Sequence, residues 1–179
     1  MRDSGPLEAR VLAALRDVPD FPKPGIRFKD VTPLLADGAL FRATTDAMAA
    51  WYEGAGVTRV AGVESRGFIL AAPIAQRLGV GFVPLRKPGK LPWQRRRVDY
   101  ALEYGTDGLE AHLDACAGDR VLVVDDVLAT GGTAAAACEL VEGLGGTVVG
   151  CAFLLALDFL DGRARLGGRP ERSLVRLAG

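Results

Sequence analysis

The 179-residue chain has one histidine, three cysteines and no excess of charge, its 22 lysines plus arginines balancing 22 aspartates plus glutamates. A zero balance supplies no global basic field, which argues against nucleic acid or an anionic membrane as partner, so any anion must be bound locally. The lone His112 has no nearby nucleophile to activate, and neither a Ser-His-Asp nor a Cys-His arrangement can be assembled. Cys116, Cys138 and Cys151 lack CxxC spacing, are odd in number and sit in or beside apolar runs; they read as buried reduced thiols and imply a reducing cytoplasm. No apolar run approaches transmembrane length. The start, MRDSGPLEARVLAALRDV, mixes acids among its apolar residues and reads as an amphipathic helix rather than a signal peptide.

What is present is an alternation of strands and helices in a chain of the size of one α/β domain, 1–179. Leu7 to Arg16 is helical by spacing, and Pro19, Pro22 and Pro24 then impose an irregular connector. Phe41 to Tyr52 reads as a helix, Val57 to Val63 as a buried strand, and Glu64-Ser65-Arg66-Gly67 as the turn after it. Phe68 to Leu78 is the next helix and Val80 to Leu85 the next strand, followed by the basic loop Arg86-Lys87-Pro88-Gly89-Lys90. Val98 to Tyr104 alternates as a strand, with Glu103 aimed away from its apolar face. Val121 to Val124 is a strand covered on both sides, Ala134 to Leu144 a helix, and Thr147 to Leu157 a second buried run. This pattern predicts a mostly parallel sheet flanked by helices, with ligands at the carboxyl ends of its strands.

Within that frame the string from Val121 to Thr133, VLVVDDVLATGGT, concentrates the most chemistry. An apolar strand ends at two carboxylates and passes through small residues into a helix. The amides of Ala129, Thr130, Gly131, Gly132 and Thr133 would lie at the helix start, where unpaired N–H groups attract an anion. The glycines permit close approach, and the hydroxyls of Thr130 and Thr133 can donate to phosphate oxygens. Asp125 and Asp126 can accept hydrogen bonds from a ribose diol. An isolated Asp-Asp or Gly-Gly-Thr is usually no more than a turn, but the full string is more specific, and it satisfies neither GxxxxGK[ST] nor GxGxxG.

The string resembles the signature of the type I phosphoribosyltransferases, which bind phosphoribosyl pyrophosphate (PRPP). That signature alone leaves several purine and pyrimidine enzymes, PRPP synthetases and PRPP-sensing regulators open. FPKPGIRFKDVTPLL at 21–35, GVESRGFILAAPIA at 62–75, VPLRKPGKLPW and YALEYGTDGLEAH resemble, in order, segments of the adenine phosphoribosyltransferases. The resemblance implies transfer of the phosphoribosyl group from PRPP to adenine, giving AMP and pyrophosphate. Ribose would be held by Asp125 and Asp126, the 5′-phosphate by residues 129–133, and pyrophosphate by Arg66, Arg86, Lys87 and Lys90. Arginine can grip phosphate oxygens bidentately and lysine supplies a mobile charge.

Adenine would lie between the apolar faces of Ile26, Phe28 and Leu128 and be read by the backbone at Arg27, in an N-terminal hood of about residues 1–35. Arg27 departs from the family, in which many members carry an apolar residue there. The resemblance makes Glu103, in a flexible loop and catalytic strand of about 86–104, the catalytic acid near N7 of adenine, with Arg66 in the turn after the first strand also catalytic. The loop from Leu91 to Asp99 would close over the site, and Arg95-Arg96-Arg97 within it, a second departure, reads as a solvated charge run. Further implications are Mg²⁺ bound mainly through PRPP and water, a homodimer in which Lys87 reaches across the interface, and a cis peptide at Glu64-Ser65. Another purine specificity is the nearest alternative enzyme. A non-catalytic PRPP-sensing regulator would want a helix-turn-helix or a basic face, and neither is evident.

Overall fold

Val121, Leu122, Val123 and Val124 are all fully buried, and they form the middle of the central strand of a five-stranded sheet. The computed structural model describes residues 6–102 and 105–178, with the side chains of residues 101, 102 and 105 left aside. By contact the chain falls into two units, one up to Ala47 and one from Met48 onward.

The first unit begins with helix α1 (Leu7–Ala14), stopped at Leu15 in an extended conformation. Strands β1 (Arg16–Pro19) and β2 (Arg27–Asp30) then pair antiparallel, with Arg16 opposite Asp30. The proline-rich stretch is thus a hairpin loop rather than an irregular connector. Pro19 ends one strand, Phe21-Pro22 is cis, and Gly25 turns back at φ 86° with its amide held 2.7 Å from Oδ1 of Asp20. Proline removes one donor per residue, which an edge of a two-stranded ribbon tolerates. Helices α2 (Thr32–Ala36) and α3 (Gly38–Ala50) follow, and the boundary between the units falls inside α3.

The second unit holds the sheet. Strand β3 (Arg59–Val63), helix α4 (Arg66–Leu78) and strand β4 (Gly81–Leu85) form one parallel crossover. Strand β5 (Arg95–Leu102) and strand β6 (Gly105–His112) form an antiparallel hairpin. Strand β7 (Arg120–Leu128), helix α5 (Gly132–Gly143), strand β8 (Thr147–Leu157) and strand β9 (Glu171–Leu177) complete the unit, with two short 3₁₀ turns, Asp158–Leu160 and Gly162–Leu166, between β8 and β9. The sheet order is β4-β3-β7-β8-β9, and every neighbouring pair in it is parallel. From β3 the chain moves outward to β4, whereas from β7 it moves outward the other way. The topological switch point therefore lies between β3 and β7, where open parallel sheets bind their ligands. The expected mostly parallel sheet with flanking helices is what the structure has.

Two glycines make this junction possible. A side chain on Gly62 would meet Cβ of Ala71 at 2.8 Å, and one on Gly67 would meet Oδ1 of Asp125 and the carbonyl of Val124 at 2.9 Å. The start of α4 consequently packs directly on the backbone of β7, bringing the turn after β3 alongside the end of β7.

Candidate functional site

Strand β7 runs past both carboxylates as far as Leu128, so Asp125 and Asp126 lie within the strand and not at its end. Ladder pairing to β8 continues through Asp125, Val127 and Leu128, which is why the strand outlasts its apolar run. Asp126 is 5% exposed and forms an ion pair with Arg66, the first residue of α4. Asp125 accepts a hydrogen bond of 2.9 Å from the amide of Asp126. Burial, followed by the neighbouring Asp126 charge, pushes its carboxyl well above the usual carboxylate range. A hydroxyl donor reaching this carboxyl would favour its ionised form.

Past Leu128 the chain turns through Ala129 and Thr130 into α5. Gly131 is the residue before the helix and adopts φ 80°, a left-handed conformation that suits glycine. No side chain caps the helix, so no side-chain acceptor competes for its first amides. With the positive end of the helix dipole, they make an anion site. The hydroxyl of Thr133 lies 3.2 Å from that of Tyr100 in β5.

The basic loop is organised by two carboxylates, the half-buried Glu64 and the buried Glu110, that sequence reasoning did not single out. Glu64 accepts hydrogen bonds from Nζ of Lys90 at 2.5 Å, the amide of Lys87 at 2.8 Å and Nε of Arg86 at 3.2 Å. Burial would raise its pKa, but these donors and the Arg86 charge outweigh burial and hold it at about 2. Glu110 in β6 is 4% exposed; it accepts from the amide of Gly89 at 3.0 Å and pairs with Arg95 at 3.0 Å. Its backbone also bridges that of Arg86. The peptide between Glu64 and Ser65 is cis, in agreement with the resemblance.

Lys87 is engaged within its own chain. It pairs with Asp107 and donates to the Tyr100 hydroxyl at 2.9 Å. Tyr100 in turn lies 3.1 Å from Asp107. Burial opposes the Lys87 charge, yet Asp107 and Tyr100 leave its pKa raised. One hydroxyl thereby links the basic loop, the hairpin and the start of α5. Tyr100 reads from its alternation as an apolar-face residue, and only the folded arrangement gives its oxygen a role.

The segment read as a loop to Asp99 is strand from Arg95 onward. Its three arginines are exposed, as a solvated run would be, and each also has a partner. Arg95 pairs with Glu110, Arg96 donates to the carbonyl of Gly143 at 2.9 Å, and Arg97 pairs with Asp99 at 2.7 Å. A cation at the carboxyl end of α5 also complements the helix dipole. Nε2 of His112 lies 2.8 Å from the carbonyl of Pro92, a structural role as expected. Glu103 lies outside the described residues.

In the first unit, Ile26 is 41% exposed, and Phe28 packs edge-on against Phe21 with ring centroids 5.3 Å apart. Arg27 pairs with Asp17 at 3.8 Å, so its side chain is committed to the hairpin and its backbone to strand β2. In the second unit Leu128 is 3% exposed and lines a cavity of about 210 Å³ together with Leu157, Asp161 and Arg163. All three cysteines are free and buried. Among the described residues no helix is long and apolar enough to cross a membrane, and no group of three or more side chains is placed to hold a metal.

Comparison with known proteins agrees with this geometry. Residues 31–169 match the family model described as a phosphoribosyl transferase domain. An adenine phosphoribosyltransferase of Myxococcus xanthus is 63% identical over 170 residues, covering 94% of this chain and 92% of that protein. The crystal structure of the adenine phosphoribosyltransferase of Thermoanaerobacter pseudethanolicus superposes with a TM-score of 0.93 at 50% identity, covering 96% of this chain and 100% of that one. That of Saccharomyces cerevisiae, solved in complex with an imino-altritol bisphosphate and adenine, gives 0.89 at 42% identity over 94% and 98% of the two chains. The chain belongs to the phosphoribosyltransferase family, among the adenine phosphoribosyltransferases.

Proposed function

We propose that the chain transfers the 5-phosphoribosyl group of PRPP to adenine, forming AMP and releasing pyrophosphate, a purine-salvage reaction. The observation that carries this reading is the meeting, at one switch point, of the turn after β3 and the uncapped start of α5. The first brings Arg66 and the Glu64-anchored cations, and the second an anion site beside two carboxylates. Adenine as the base rests on residues 21–35 and on the names of the relatives.

In this reading the amides of Ala129 to Thr133 hold the 5′-phosphate and Asp125 and Asp126 the ribose hydroxyls. Arg66, Arg86, Lys87 and Lys90 stabilise charge growing on pyrophosphate as its bond to C1 breaks. The cationic ribosyl carbon is captured by N9 of adenine with inversion. Glu103 shares the proton carried at N7 of adenine and takes it up as the N9–C1 bond forms and pyrophosphate leaves with its electron pair, and Ile26, Phe28, the backbone at Arg27 and Leu128 hold the base.

The hard oxygens of Asp125 and Asp126 suit Mg²⁺, which needs few protein ligands when phosphates and waters supply the rest. When bound it would neutralise charge on the pyrophosphate. Three free buried thiols fit a reducing compartment, the cytoplasm. Exposed Ile69 and Phe82 fit an assembly, which we take to be a homodimer.

The test is an absorbance assay with PRPP and Mg²⁺ in which adenine, hypoxanthine, guanine and xanthine are offered separately. AMP from adenine is expected, with little product from the keto purines. Absence of AMP, or preference for a keto purine, overturns the reading.

A further inference from the structure

The loop that precedes α5 is held from outside by a second piece of backbone. A methyl group on Gly131 would lie 2.2 Å from the carbonyl oxygen of Gly162, and one on Gly162 would lie 2.1 Å from the carbonyl oxygen of Ala129 and 2.9 Å from the amide nitrogen of Gly131. Each close neighbour is main chain, so no side-chain rotation relieves the crowding. Gly131 needs its left-handed φ, but Gly162 does not have one. A side chain at 162 is excluded by what it touches, not by its own conformation.

The segment carrying Gly162 is pinned at both ends. At its start, Arg176 in β9 donates to both oxygens of Asp158, at 2.7 and 3.0 Å, and is itself held by Glu171 at 3.1 Å. At its end, Leu166 is fully buried in the core, and Arg169 forms a two-pronged ion pair with Glu142 of α5, at 2.6 and 2.8 Å. Asp161 turns the chain between them at φ 49°, with its amide bonded to the carbonyl of Asp158 at 3.0 Å. Fixed at β9 and at α5, the segment has little freedom to retreat.

We propose that the turn from Asp158 to Leu166 is a rigid stop that sets the position of Ala129 to Gly131, and that Gly162 is a positioning residue for the 5′-phosphate of PRPP. The inference rests on the phosphate role given to that loop. A methyl group at 162 must push the carbonyl of Ala129 away and tilt the amides that follow it. Misplacement of this order costs roughly ten- to a hundredfold in reactions that depend on orientation.

The test compares Gly162→Ala with the wild-type chain and with Ile74→Ala, a truncation of a fully buried core side chain on α4. PRPP binding is measured by calorimetry, and the KM for PRPP, the KM for adenine and kcat by AMP formation. Gly162→Ala is expected to weaken PRPP at least tenfold while the KM for adenine stays within about twofold. Ile74→Ala should lower the melting temperature and leave both constants alone. If Gly162→Ala does not fold, Asp161→Val, which forces a branched side chain into a left-handed position, should give the same selective loss in milder form. Unchanged PRPP binding in a folded variant overturns the proposal, as does a loss shared equally with adenine or with Ile74→Ala. A wild-type chain that binds no PRPP and makes no AMP overturns the functional reading and this proposal together, whereas an active wild type with an indifferent Gly162→Ala overturns this proposal alone.

Discussion

The carboxylate of Glu64 accepts a hydrogen bond of 2.5 Å from the ammonium of Lys90, across 26 residues of sequence. Together with its bonds to the Lys87 amide and Arg86, this makes one half-buried acid the anchor of a loop built from cations. Glu64→Gln keeps the shape but weakens three donors at once, and the loop should lose its fixed position. A fall in kcat/KM for PRPP of roughly tenfold is expected from the loss of one charge-assisted contact network.

The same residue sets a pH dependence. Its folded pKa of about 2 lies below the ordinary 4.5, so its stabilising contribution is complete above 4.5 and is lost as pH falls toward 2. Thermal melts between pH 5 and pH 2 should show a steeper acid decline for the wild type than for Glu64→Gln. Parallel declines would remove Glu64 from the account.

Asp125 has the opposite sign. Its folded pKa is raised above 3.8, so the folded chain binds the proton more tightly and loses relative stability as pH rises beyond that value. Asp125→Asn should therefore melt higher at pH 7, by an amount on the order of 1 kcal/mol, with the advantage vanishing near pH 4. It should also bind PRPP at least tenfold less tightly, through loss of a charged acceptor.

Tyr100→Phe removes only the oxygen that joins Lys87, Asp107 and Thr133. A cost of about 1 kcal/mol, or roughly fivefold in kcat/KM, is expected with little change in folding. Steady-state kinetics beside a denaturant melt separates the two effects.

Phe28→Ala tests the hood. Removal of the aromatic face should raise the KM for adenine tenfold or more, in line with about 1.5–3 kcal/mol for a buried ring, and leave PRPP binding unchanged. An equal effect on both substrates would point to folding of the first unit instead.

Glu103→Gln should cut turnover by roughly 10² to 10⁴-fold while PRPP binding is kept, as for loss of a general acid–base group. Single-turnover kinetics would show the loss in the chemical step. Wild-type turnover would end the assignment.

The strand-loop-helix of β7 and α5 was legible because a β-branched run, a glycine pair and an alanine-rich helix carry independent local signals that agree. The end of β7 was not, because two adjacent carboxylates look like a turn until β8 is there to continue the ladder. The start of β5 was hidden for a similar reason. Arg95 to Arg97 has the composition of a loop, and it takes β6 to make it a strand, with Glu110 and the carboxyl end of α5 supplying partners for Arg95 and Arg96 and Asp99 one for Arg97. Glu64 and Glu110 were missed because nothing local distinguishes an acid that will be enclosed by cations from one that will face water. Burial of a charge is decided by cations that arrive from elsewhere in the fold.

The open first turn of α5 has a bearing on how this chain should be handled. A helix start that holds its amides ready for a substrate phosphate does not distinguish that group from other small dianions of similar size. Phosphate and sulfate buffers should therefore act as competitors, raising the apparent KM for PRPP and raising the melting temperature through binding to the folded state alone.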